Sequence, residues 1–140
     1  KTRRYTMIIL SNSIAQTINP GQSATFDTVI MKKGCSECFR PGSGAVFLRK
    51  YPATYDIDFS GNIGNVAVGT AQLAIAAGSA PMLNTTMISE TATAGDLNSV
   101  STRTAVDTCG CGAESCTIVN TGTEPVTLGA NPTFYIRRIA

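Results

Sequence analysis

The sequence contains no histidine. That absence removes imidazole general bases, histidine-assisted serine or cysteine nucleophiles and most catalytic zinc sites. Charge is scarce as well: Asp, Glu, Lys and Arg together make up 14% of the 140 residues, where an average soluble domain carries roughly 25%. The net charge is +2 and the one basic cluster is the opening KTRR, too little to drive polyanion binding, so no nucleic-acid partner is expected. Residues 1–5 read as a short basic arm. No apolar run reaches 18 residues, and MIIL is too short to cross a bilayer, so no membrane partner is expected either. Aromatic residues are few, four Tyr and five Phe, and most fall in strand-like segments where they read as core. With no nucleophile set beside a base, the chain reads as a non-enzyme.

What is present is punctuation and alternation. TYDIDFS, residues 54–60, places Tyr55, Ile57 and Phe59 on one face and Asp56 and Asp58 on the other, the period of a half-buried strand. AVFLR, AQLAIAA, SVSTRTAVD, CTIVN, PVTL and TFYIRRI are further short segments rich in β-branched or aromatic residues. Between strands lie NPGQ, RPGSG, SGNIGN, AGSAP, NTGTEP and GANP, read as turns because they supply positive φ or a preset bend. No amphipathic helical pattern competes. Short strands spaced by such turns predict an antiparallel sandwich or barrel. Without a repeat or linker, residues 1–140 form one domain, large enough to bury a core without cross-links.

Several stretches carry a resemblance. QTINPGQSATF (residues 16–26), RPGSGAVFL (40–48), YDIDFSGNI (55–63), CTIVNTG (116–122) and the closing FYIRRI fall in the order seen in a group of bacterial and bacteriophage proteins that resembles the C1q/TNF-like jelly rolls. The likeness covers nearly all of the chain after about residue 12 and rests on turn and core signatures, which specify fold better than task. It implies an all-β, antiparallel jelly-roll β-sandwich assembled as a homotrimer. The group departs from this chain at Cys35 and Cys38, where one cysteine is common, so no ligand role is carried over there.

The resemblance also implies where the trimer forms. In the C1q/TNF-like arrangement the last strand lies beside the strand at residues 54–60, in the sheet that faces the threefold axis. With Tyr55, Ile57, Phe59, Phe134 and Ile136 turned into the core, alternation leaves Asp56, Asp58, Tyr135, Arg137 and Ile139 on the opposite face as the expected oligomer interface. The spacing of the two aspartates suits pairing across the ladder with Arg137 better than acid–base work on a substrate.

Five cysteines remain: Cys35, Cys38, Cys109, Cys111 and Cys116. A redox Cys-x-x-Cys needs a helix N-terminus to lower the thiol pKa, yet CSEC runs into a turn and a strand. A tetrathiolate zinc site drawing on both groups is a second reading, although Cys109-x-Cys111 is a poor knuckle; no other cofactor is implied. Disulfides are the third reading, with buried free thiols as the remainder. A jelly roll can bring the early loop and the loop before the penultimate strand to one end, so the expected bridge joins Cys35 or Cys38 to Cys109 or Cys111. Such a bridge would remove about 4–5 kcal/mol of unfolded-state entropy.

The functional expectation follows from the resemblance: a virion structural protein at the particle surface, acting as capsid decoration, head fibre or tail-associated module beside other virion proteins. The alternatives are a module of an extracellular bacterial surface or spore appendage, contacting surface-layer proteins, and a carbohydrate-binding adhesin with a glycan receptor.

Overall fold

The computed structural model describes residues 6–34, 36–49, 52–78, 80–108 and 114–140. Among them lie thirteen strands: β1 (Met7–Ser11), β2 (Gln16–Ile18), β3 (Thr28–Lys33), β4 (Glu37–Phe39), β5 (Val46–Leu48), β6 (Ala53–Asn65), β7 (Gly69–Ala77), β8 (Ala80–Pro81), β9 (Met87–Thr91), β10 (Asn98–Thr108), β11 (Glu114–Asn120), β12 (Val126–Leu128) and β13 (Thr133–Arg138). A single 3₁₀ turn at Leu83–Thr85 is the one helical element among the described residues, and no helix there is long and apolar enough to cross a membrane.

The strands form two antiparallel sheets. In the first, β3, β1, β13, β6 and β10 lie side by side. Strand β6 is long enough that β13 covers residues 55–60 of one edge and β12, followed by β2, covers residues 63–65 of the same edge. The second sheet runs β4, β5, β11, β7, with β8 and β9 end to end along the far edge of β7. Period-2 alternation turns Ile8, Leu10, Tyr55, Ile57, Phe59, Phe134 and Ile136 of the first sheet onto Val46, Leu48, Leu73, Ile75 and Ile118 of the second, all fully buried. Phe134 sits at the centre of an aromatic group, 5.2 Å from Phe26 and edge-on to Phe59 at 6.1 Å between ring centroids.

Each of the seven strand segments named from the sequence overlaps a strand, with Ala45, Arg49, Pro125 and Ile139 just outside the strand ends. MIIL, too short for a membrane, is β1 and occupies an interior place between β13 and β3. Turn chemistry holds at NPGQ, RPGSG, AGSAP and GANP, where Gly21, Gly42, Gly78 and Asn131 have positive φ. It fails at SGNIGN, which is the continuous second half of β6. Gly64 is there for close approach, since a Cβ on it would lie 2.1 Å from the Asp96 carbonyl oxygen, whereas one on Gly61 would meet only the Leu128 and Pro132 side chains at 3.2 Å.

Candidate oligomer interface

The outer face of the first sheet is built row by row from the strand registers. Lys33, Met7, Arg137, Asp56 and Ala105 form one row across β3, β1, β13, β6 and β10. Met31, Ile9, Tyr135, Asp58 and Arg103 form the next. Beyond them the face turns to small hydroxyls, with Thr133, Ser60 and Ser101 in register. The face therefore grades from apolar at β3 and β1, through charge at its centre, to small polar groups.

All five residues expected on this face are brought together there, opposite the core-facing set. Asp56 is the centre. Its carboxylate accepts from Arg103 Nε at 3.0 Å and Nη2 at 2.7 Å, and from Arg137 Nη2 at 3.2 Å. The Arg103 hydrogen bonds, with both guanidinium charges, hold the Asp56 carboxyl below its ordinary range against the opposing effect of burial. Arg103 is missed by the sequence reading; its only signal there is a lone cation at an outward position of a Ser/Thr-rich strand. The Arg137 Nε is buried without a partner among the described residues. Tyr135 lies in register with Asp58, and Ile139, 38% exposed, follows the end of β13 with its N–H donating to the Thr54 carbonyl at 2.9 Å. Thr6, Met7, Lys33, Tyr135, Arg137 and Ile139 line an open groove on this face.

At the sheet edge, all six residues of β3 are exposed, including Val29, Ile30 and Met31. This is a large apolar contribution from an edge strand.

The likeness to known proteins is one of shape. No protein-family model matches the chain, and no curated protein matches it in sequence. Among solved structures, the globular domain of a zebrafish complement 1qA protein superposes with a TM-score of 0.63 at 12% identity, covering 96% of this chain and 95% of that one. Murine APRIL at pH 8.0 gives a TM-score of 0.63 at 9% identity, over 97% and 100%. The fold is a C1q/TNF-like jelly roll. A PRD1 vertex protein matches at a TM-score of 0.49 and 13% identity, over 96% and 94%, a level that adds nothing to the fold assignment.

Within this jelly roll, two of the five cysteines lie among the described residues, and both are free thiols. Cys116 is fully buried in the core, where desolvation pushes its thiol pKa up. Cys38 is half-buried on the opposite face of the second sheet, in register with Phe47. Cys35, Cys109 and Cys111 lie outside the described residues. The elements that flank them share one end of the sandwich. Leu48 pairs with Glu37 on one side and Glu114 on the other, so the start of β4 and the start of β11 are two strand spacings apart, roughly 10 Å. At that same end Thr6 Oγ1 donates to Glu37 Oε2 at 2.8 Å. No group of three or more metal-ligating side chains occurs among the described residues.

Proposed function

We propose that this chain is a non-enzymatic structural module that forms a homotrimer through the outer face of the β3–β1–β13–β6–β10 sheet and is displayed on the surface of a virion as decoration, fibre or tail-associated protein. The observation that carries the trimer is the composition of that face. Met7, Ile9, Met31, Tyr135 and Ile139 supply apolar area on one half, while the Asp56 carboxylate at the centre is already held by Arg103 and Arg137 and needs no further partner when the face is covered. A closed cyclic assembly is the economical way to cover one such face on every copy. The virion setting is supported by the resemblance of the turn and core stretches to bacteriophage proteins. A bacterial surface or spore appendage is the rival setting for the same module.

Light scattering on the purified chain, with Tyr135→Glu as the perturbation, tests the assembly. A trimer that Tyr135→Glu dissociates is the expected result; a wild-type monomer, or a trimer indifferent to the change, overturns it. Copy number tests the setting: a multiple of three per native particle, shared with the capsid lattice, is expected for decoration, and a handful of copies for a fibre or tail tip.

The cysteines belong to the same proposal. A bridge, or a zinc ion, joins the segment at residues 35–38 to the segment at residues 109–116. With Cys38 and Cys116 free, Cys35 is the partner of Cys109 or Cys111 in the disulfide form.

A further inference from the structure

The outer face of the second sheet, opposite the proposed trimer face, carries a groove. In β5, Val46 and Leu48 are fully buried while Phe47 between them turns outward and stays 47% exposed. A single exposed phenylalanine is ordinary. The surroundings of this one are not. It floors a groove of about 550 Å³ lined also by Cys38, Phe39, Arg40, Ser43, Ala45 and Arg49. Cys38 is opposite Phe47 across the β4–β5 ladder, which places Arg40 level with Ala45 and so two residues to one side of the ring. Arg49 is two residues to the other side along the strand. The backbones of the two arginines are thus about four residues apart along the strand direction, roughly 13 Å, with Phe47 midway.

The groove is also preorganised. Ser43 N–H donates to the Arg40 carbonyl at 3.0 Å, closing the turn that carries Arg40, and Gly42 in that turn has φ +89. The turn is tied to the core by two further backbone bonds: Gly42 N–H to the Phe26 carbonyl at 2.8 Å and Phe26 N–H to the Ser43 carbonyl at 3.0 Å. The Ser43 hydroxyl accepts from Ala45 N–H at 3.1 Å, and its own proton remains to donate. Among the described residues, neither Arg40 nor Arg49 forms an ion pair; the only guanidiniums that do are Arg103 and Arg137. Among the described residues, no carboxylate lines the groove.

We propose that this groove binds an acidic oligosaccharide, with one sugar ring stacked on Phe47 and flanking carboxylates held by Arg40 and Arg49. A pyranose presents an apolar C–H face to a ring and hydroxyls to Ser43, and guanidinium forks match carboxylates bidentately. The separation of the cations calls for a ligand longer than one sugar ring. An acidic peptide is disfavoured because β4, the strand at this edge, offers only three residues for backbone pairing. A nucleic acid is disfavoured because two cations on a chain of net charge +2 cannot follow a phosphate backbone.

Isothermal titration calorimetry of the native assembly with tetragalacturonate tests this. Saturable binding is expected, weakened at least about tenfold by Phe47→Ala and by Arg49→Gln, with no binding of the neutral tetrasaccharide maltotetraose. Phe47 faces solvent, so Phe47→Ala should melt like the wild type; should it not, Arg49→Gln decides. Bound tetragalacturonate should also slow alkylation of Cys38. The proposal is overturned by absence of binding, by equal binding of maltotetraose, by affinity indifferent to both substitutions, or by tighter binding of a polyglutamate peptide or a single-stranded oligonucleotide.

Discussion

Arg103 grips Asp56 diagonally: the strand register sets Ala105 opposite Asp56 and Arg103 opposite Asp58, yet both hydrogen bonds of the Arg103 guanidinium go to Asp56. Arg137, opposite Asp56 on the other flank, donates to the same carboxylate at 3.2 Å. One carboxylate thereby ties three strands together.

From this clamp follows a pH dependence. The folded-state pKa of Asp56 is lowered, so its contribution is present above the unfolded value, about 3.9, and is lost as pH falls through the folded value. Asp56→Asn should cost about 1–2 kcal/mol at neutral pH, the worth of a charged hydrogen-bond set whose arginines are partly exposed. Thermal melts of wild type and variant should differ most above about pH 5 and converge toward pH 2. An equal gap at pH 2 and pH 7 would contradict the clamp.

Glu37 has the opposite sign. It is fully buried, its Oε1 lacks a partner among the described residues, and desolvation raises its pKa, with the Thr6 hydroxyl and the charges of Lys32 and Arg138 working the other way. A raised acid is harmless to stability below its unfolded value, about 4.3, and destabilises as pH rises through the folded value. Glu37→Gln should therefore raise the melting temperature at pH 8 and leave it unchanged at pH 4. A variant less stable at both would show that the carboxylate is held by interactions stronger than its desolvation.

The two glycines of SGNIGN separate close approach from mere tolerance. Gly64→Ala should destabilise by about 1–3 kcal/mol, because its methyl meets the rigid backbone oxygen of Asp96. At Gly61 the new methyl meets Leu128 Cδ1 and Pro132 Cβ at 3.2 Å, where a few tenths of an ångström suffice, so Gly61→Ala should change stability by less than about 1 kcal/mol. Denaturant titration of both variants measures the contrast, and equal effects would remove the distinction.

Thiol chemistry provides a fourth check. Under native conditions at pH 8, iodoacetamide should modify Cys38 and spare Cys116, which is sealed in the core and resists ionisation. Peptide mapping after unfolding should then find Cys116 reactive. In a non-reducing digest the proposed bridge would appear as Cys35 joined to Cys109 or Cys111; five unlinked thiols on a zinc-free protein would rule out both bridge and metal.

Much of the sandwich was legible because antiparallel strands write their burial into alternate residues. Tyr55, Ile57 and Phe59 with Phe134 and Ile136 define one buried face without any tertiary information, and their outward neighbours Asp56, Asp58, Tyr135 and Arg137 follow from parity alone. Strand β1 was not legible from pattern: MIILS is apolar at nearly every position, so it carries no period. Nor was β3, whose exposure comes from its place at the sheet edge.

The sequence by itself determined the fold class, the turns at Gly21, Gly42, Gly78 and Asn131, and which side chains of β6 and β13 share a face, because these depend on local φ preferences and on a period of two. Only the tertiary structure decided that Arg103 joins Arg137 on Asp56 while Asp58 forms no ion pair among the described residues, that SGNIGN is strand, that Glu37 is a buried acid, and that Phe47 lies between Arg40 and Arg49. Those relationships depend on strand order and register, which are set by which hydrophobic faces can close on one another across the whole chain, and no short stretch contains that information.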